Sequence, residues 1–554
     1  MIQKFPRLFL VLLAILFVLN LVQSYFTELI YDEAYYWYYA QQLDWGYFDH
    51  PPMVAFLIKL SSLFFDGELG VRFMSCLLSA GTYSFLWLLI DNSKKKDYIV
   101  HFFLLLFSMT LMNAYGFLTL PDTPLLFFTA FFLWLYKRFL QQPTILISVL
   151  LGVAMAALMY SKYHAVLVIL FVFLSNFKLI GNGRAWLAVI IALICYTPHF
   201  LWLYEHDFVS IKYHLFERPN QAYSFEKFTL GYLINLVAIF GLLFYWVYLS
   251  LIKTKAASDK FTRALKFLVF GVLIFFFVSS FNRRVQTQWI IVISIPMAVL
   301  AFNHLLENAK SRKWMYRIGI VSLVILLYAR AWLIHQPLVP LLFETHGNKE
   351  WVKTLKAKAE GVPIVFENSY RSASMYKFYS EDDSFSFNNV WGERKNQYSI
   401  DDAEELMRNK RILYVTKYRK SGDVSYVYPD GTVFYGVFMD NFQSYRKLQC
   451  FVELSPDSSS HILKVYNPYS FDVPLDKLSY KVAYSNKYKQ VKQLLPVHVK
   501  LQQNEQFLLK PKDTAHYNIK LPKPTIENPG YFRIGISENG LLPGLNGEPI
   551  KVTQ

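Results

Sequence analysis

Residues 26–52, FTELIYDEAYYWYYAQQLDWGYFDHPP, set Asp32, Glu33, Asp44 and Asp49 among aromatic side chains, directly after an apolar run long enough to cross a bilayer. A carboxylate in such surroundings loses hydration, and its pKa rises toward the range where it can take and give protons. In a helix over YDEAYYWYYAQQL, Asp32 shares a face with Tyr35, Tyr36 and Tyr39, and Glu33 shares one with Tyr36 and Trp37. Asp32 and Glu33 are therefore candidate acid–base residues. Acids in a first helical turn also complement the dipole, but that does not account for the second cluster, Asp49-His50-Pro51-Pro52. Pro51 holds His50 extended. Asp49 with His50 suits a capped turn, a divalent metal or, with the imidazole protonated, a phosphate.

Four more places carry unusual polar residues. In LTLPDTP, Asp122 stands between two prolines, which suits a helix cap and equally a contact to substrate. In YSKYHA, Lys162 beside Tyr163 either neutralises a phosphate as a point charge or snorkels to headgroups. The stretch 204–225 holds Glu205, His206, Asp207, Lys212, His214, Glu217 and Arg218, a mixture fit for a pyrophosphate, a phosphosugar, a metal or plain solvent. His214 is the residue there that would join Asp49 and His50 around a divalent cation, although no strict ligand spacing exists. Arg283 and Arg284, in FNRRVQTQW, ask for an anion, either a substrate phosphate or lipid headgroups. Together these are acids for catalysis, cations for phosphate and aromatic faces for a sugar.

The elements that must position them are membrane helices. The chain is 54% hydrophobic, 18% aromatic and only 17% charged, where a soluble domain has about a quarter charged. About eleven apolar stretches, near 8–25, 70–90, 98–118, 123–140, 144–160, 163–178, 185–204, 229–251, 265–281, 288–303 and 316–335, approach spanning length. The N-terminal run is long for a signal peptide and lacks a small-residue cleavage site, so it is expected to be a retained first helix. Residues 53–65 are apolar but short and read as an interfacial helix behind Pro51-Pro52. Basic residues cluster in alternate loops, which marks those loops as cytoplasmic and puts the polar constellations on the outer face. The net charge of +16 is thereby explained by topology. A nucleic-acid partner would need one clustered basic face, and the basic residues are dispersed. The three cysteines make neither a disulfide framework nor a zinc ribbon.

After about residue 336 the spans stop, and an odd number of them puts the remainder outside. NKEWVKTLKAKAEG and DDAEELMRNK read as helices, VPIVFE and RILYVT as strands, giving an α/β domain over 336–445. HILKVYN and YFRIGISENG read as strands of a β-rich domain over 446–554, in the manner of a sandwich.

The segments YDEAYYWYYAQQLDWGYFDHPP, LPDTPLLFF and SKYHAVL resemble the bacterial branch of the protein O-mannosyltransferases, glycosyltransferase family 39, which includes the lipid A aminoarabinose transferase. The resemblance covers roughly 1–335 and extends to NSYRSASMYKFY and ERKNQYS, whereas the tail after about 445 matches nothing known to us. It implies a GT-C fold with an outward-facing site in a bacterial inner membrane. It also implies inverting transfer from a polyprenyl-phosphate sugar to a lipid, glycan or protein hydroxyl, with membrane lipids as surroundings. The family's acidic pair falls on Asp32 and Glu33, its acidic-then-basic pair on Asp49 and His50, and its short-loop Asp on Asp122. Under this reading Asp32 is the general base, Glu33 orients the acceptor or shares that role, and Lys162, Arg218, Arg283 and Arg284 hold the phosphate. A transporter or flippase for a lipid-linked sugar is the rival class, expected to show ionisable residues near midplane and broken helices. An envelope assembly protein working through its outer domain is a further one. Among enzymes, an oligosaccharide ligase or oligosaccharyltransferase competes.

Overall fold

The computed structural model describes residues 5–217, 220–254, 259–392, 394–455, 460–502 and 507–552. The chain divides into two compact units: 1–208 with 223–346, and 209–222 with 347–554. A piece of the stretch between two membrane helices thus belongs with the C-terminal part. The first unit ends at His346, eleven residues beyond the expected close of the membrane domain at 335.

The first unit is helical. The N-terminal apolar run folds as α1 (Arg7–Phe26), followed by α2 (Tyr31–Gln41), α3 (Met53–Ser61) and α4 (Gly67–Leu89). Next come α5 (Ile99–Phe107), α6 (Thr110–Ala114), α7 (Asp122–Gln141), α8 (Ile145–Ser161), α9 (Ala165–Leu174) and α10 (Gly183–Glu205). The short α11 (Val209–Lys212) lies in the second unit. The first unit continues with α12 (Gly231–Ala238), α13 (Phe244–Lys253), α14 (Lys260–Ser279), α15 (Ser294–Glu307) and α16 (Ala309–Ile334). Of the described helices, α1, α10, α14 and α16 are long and apolar enough to cross a membrane singly, and the bent α12–α13 pair is a fifth candidate.

Two expected spans are broken. The stretch 98–118 divides into α5 and α6, with the Asn113 amide donating to the Phe107 carbonyl across the break at 3.1 Å. The stretch 229–251 bends by 95° between α12 and α13. There Gly241 adopts φ +54°, a left-handed conformation that glycine adopts at no steric cost. A Cβ on Gly241 would stand 2.6 Å from the Thr110 hydroxyl oxygen and 3.3 Å from the Ser108 carbonyl oxygen, so the two breaks meet. Hydropathy could not mark either break, because the residues around both are as apolar as a continuous span.

The second unit opens with α17 (Asn348–Lys358), β1 (Ile364–Glu367), α18 (Tyr370–Ser380), β2 (Ser384–Phe387), β3 (Ile412–Thr416), β4 (Val424–Val427) and β5 (Val433–Met439). These strands form one sheet in the order β2-β1-β3-β5-β4, parallel at β2-β1-β3 and antiparallel beyond. The helix expected over DDAEELMRNK is a single turn, Asp402–Glu404. Tertiary partners override its propensity: the buried Glu404 carboxylate accepts from the Ser444 hydroxyl at 2.6 Å and the Tyr469 hydroxyl at 2.5 Å. Two four-stranded antiparallel sheets follow. One contains the strands Ser479–Ser485, Val491–Val497, Tyr531–Ser537 and Ile550–Lys551; the other contains Gln449–Glu453, His461–Tyr466, Val499–Leu501 and Thr514–Ile519. Their inner faces share one core that includes Val465, Val482, Tyr517 and Ile534, which makes a sandwich.

Candidate active site

Consecutive residues on a helix diverge by about 100°, so α2 sends Asp32 and Glu33 in different directions. Glu33 is fully enclosed. Its carboxylate takes Arg72 of α4 in a two-pronged pair, Nε to Oε1 at 2.8 Å and Nη2 to Oε2 at 2.5 Å. It also accepts the Thr119 amide at 2.8 Å and the Ile30 amide at 3.2 Å. The remaining Arg72 donors reach the carbonyls of Ser24 (3.1 Å), Thr27 (2.6 Å) and Glu28 (3.0 Å) at the end of α1. One ion pair thus fixes the end of α1, the start of α2, α4 and the loop before α7. This corrects the expectation that Glu33 shares the base role or orients an acceptor: all its oxygens serve the scaffold.

Asp32 is half-buried on the same turn. Its charge and that of Asp122 both act on the Tyr115 hydroxyl, which is buried between α6 and α7. Asp122 is the first residue of α7 and makes no cap bond; the capping expectation gives way to an ion pair. Lys162 Nζ, just past α8, stands 2.7 Å from Asp122 Oδ1, with side-chain exposures of 8% and 4%. Lys162 therefore does not snorkel. An ammonium carries three donors, and this one has a single hydrogen bond among the described residues.

Tyr163 adjoins α10, where its hydroxyl meets His199 Nε2 at 3.2 Å. His199 Nδ1 stands 2.6 Å from the Trp45 carbonyl oxygen, so Nδ1 carries the proton and Nε2 accepts from Tyr163. One helical turn on, Trp202 Nε1 donates to Asp44 Oδ2 at 2.7 Å. The first outer loop is thus tied to α10 at both Asp44 and Trp45. Asp49 accepts from the Tyr39 hydroxyl at 2.6 Å, and Tyr39 stacks on Tyr47 at 4.2 Å. Burial, then the Asp49 charge, pushes the Tyr39 pKa well above its ordinary value, so it remains a donor. His50 stands edge-on to Tyr36, with ring centres 5.3 Å apart.

Of the other expected residues, His214 lies in the second unit, and Arg218 falls outside the described residues. Arg283 and Arg284 sit in the turn after α14, with Arg284 exposed. Among the described residues no three His, Cys, Asp or Glu side chains surround a point that could hold a metal. Sequence reasoning missed Arg72, Tyr115, His199 and Trp202. Arg72 and His199 did carry a signal, since each is an ionisable residue inside an apolar helix.

Known proteins resemble parts of the chain. Residues 49–202 match the model of the dolichyl-phosphate-mannose-protein mannosyltransferase family. The lipid A galacturonosyltransferase RgtD of Rhizobium johnstonii is 23% identical over 197 residues, 34% of this chain, which spans 41% of that relative. The fold resembles crystal structures of ArnT from Cupriavidus metallidurans at 14% identity. The apo form aligns with a TM-score of 0.53 over 73% of this chain and 92% of that one; the form bound to undecaprenyl phosphate aligns with 0.54 over 78% and 98%. The chain thus combines apolar helices of membrane-spanning length and a sheet-rich C-terminal region with an ArnT-like fold and, over residues 49–202, a likeness to a mannosyltransferase family.

Proposed function

We propose that this chain moves a sugar from a polyprenyl-phosphate donor to a hydroxyl of an envelope acceptor, with lipid A the favoured class, on the periplasmic face of a bacterial inner membrane. The observation that carries this is the grouping of half-buried Asp32 with the buried Asp122–Lys162 pair around Tyr115. It supplies a proton acceptor and an under-used cation at helix ends. The RgtD relative acts on lipid A and the ArnT neighbour binds undecaprenyl phosphate, which supports both substrate classes.

In this reading the acceptor hydroxyl attacks the anomeric carbon while Asp32 takes its proton. The bond from that carbon to the phosphate oxygen breaks, the configuration inverts, and polyprenyl phosphate leaves. Lys162 offers its remaining N–H groups to the developing phosphate charge. Asp122 orients the ammonium, and the Tyr163–His199 pair fixes the adjoining turn. Arg218, Arg283 and Arg284 are secondary phosphate ligands, and Asp49 and His50 position the sugar. No step is assigned to a metal. The roughly eleven expected spans put the C-terminal unit in the periplasm.

The test is transfer of label from polyprenyl-phosphate sugars to envelope extract in reconstituted membranes. Asp32→Asn should lower the rate about 10²–10⁴-fold while the protein stays folded; unaltered transfer would remove Asp32 from the mechanism. A transporter or flippase is the second reading, favoured by the meeting of the two helix breaks at Gly241 and Ser108. Movement of a lipid-linked sugar across the bilayer, with no label reaching any acceptor, would support it.

A further inference from the structure

A cleft of about 320 Å³ runs between α7, α8, α9 and α10. Its walls include Phe132, Leu151, Ile169 and Phe173, and it follows α9 from Val166 to Phe173, about 10 Å at 1.5 Å per residue. Val166, Leu170 and Trp186 are exposed along it, so it opens sideways. Tyr136 is the polar exception in the lining. It is 2% exposed, and its hydroxyl oxygen is enclosed beside the Ser175 and Asn176 side chains. Tyr136 lies fourteen residues after Asp122 on one helix, about 21 Å away along its axis. The cleft is therefore separate from the candidate active site.

An apolar cavity of this size does not hold water, and left empty it would forfeit the dispersion contacts of its walls. In a bilayer the available filler is hydrocarbon. One further feature narrows the occupant. The cleft ends at Leu179, Ala185 and Trp186, and the residues directly preceding Leu179 and Ala185 in the chain are the exposed Lys178 and Arg184. Two cations at the end of a hydrocarbon slot match an anionic headgroup.

We propose that the cleft holds one acyl chain of an anionic phospholipid, with its phosphate at Lys178 and Arg184. A polyprenyl chain would also satisfy the apolar walls, and displacement separates the two. The site is independent of the transferase reading and stands or falls without it.

The full-length protein in detergent would be photolabelled with phosphatidylglycerol carrying a diazirine on its acyl chain, and the labelled peptides mapped. Label should concentrate within 132–189, and unlabelled phosphatidylglycerol should displace it where phosphatidylcholine does not. Lys178→Gln and Arg184→Gln, both at exposed positions, should each weaken binding about fivefold. Label spread evenly over the lipid-facing helices would overturn the proposal, as would equal displacement by phosphatidylcholine. Preferential displacement by undecaprenyl phosphate, with the two cation variants unchanged, would also overturn it and assign the cleft to the donor's chain.

Discussion

Among its described residues the first unit contains two buried carboxylate–cation pairs, and they are built in opposite ways. Glu33–Arg72 is saturated: each Arg72 N–H group has a partner, and the Glu33 oxygens also hold two backbone amides. Asp122–Lys162 is similarly enclosed, yet its ammonium makes one hydrogen bond among the described residues. A saturated buried pair fixes geometry and has nothing left to offer a substrate. An under-used one keeps donors in reserve, which a buried site tolerates only where a ligand can take them up. The acidic residues that the sequence puts side by side, Asp32 and Glu33, differ in burial: Glu33 is fully enclosed and Asp32 half-buried.

The largest effect should come from Arg72→Leu. It strands a buried carboxylate and releases the end of α1, at a cost of about 3–5 kcal/mol. Loss of monodisperse protein on size exclusion, before any activity measurement, is the expected result. Lys162→Met should reverse the pattern. Asp122 at the N-terminus of α7 can take a proton, so the protein stays folded while transfer falls about 10²–10³-fold. A Lys162→Met protein as unstable as the Arg72 variant, or one with normal transfer, would erase the distinction between the pairs. The smallest effect concerns a carboxyl outside the membrane, Glu217 in the second unit. Burial, then the Glu548 charge, raises its pKa above 4.5 against the opposing influence of Lys395, Arg533 and Lys212. The folded state therefore holds its proton to higher pH than the unfolded chain does. This contribution to stability is present in acid and is lost as pH rises from 4.5 through the raised value. Glu217→Gln should flatten that slope in thermal melts recorded across the window, and an unchanged slope would place the titration elsewhere.

Most of the helices were legible, because apolar runs and flanking charges report burial in a bilayer directly. So were the strands over VPIVFE, RILYVT, HILKVYN and YFRIGISENG in the C-terminal unit, a minority of those it contains. What escaped was long-range pairing. Asp122 and Lys162 each stood out, one as a cap and the other as a phosphate ligand, but nothing local says that residues forty positions apart share a proton-sized gap. Tyr115 and Trp202 were hidden for a plainer reason: aromatic residues are so common in this chain that none is conspicuous. The turn at Asp402–Glu404 shows the converse, a helical pattern overruled when Glu404 found partners forty and more residues downstream.

The hold of Arg72 on α1 also bears on how the protein is made. The carbonyls of Ser24, Thr27 and Glu28 emerge from the ribosome some fifty residues before the guanidinium that satisfies them. Until α4 is inserted, the outer end of α1 has only water and headgroups for those carbonyls, and Glu33 has no counter-ion. The end of α1 therefore gains these hydrogen bonds only once α4 has joined it.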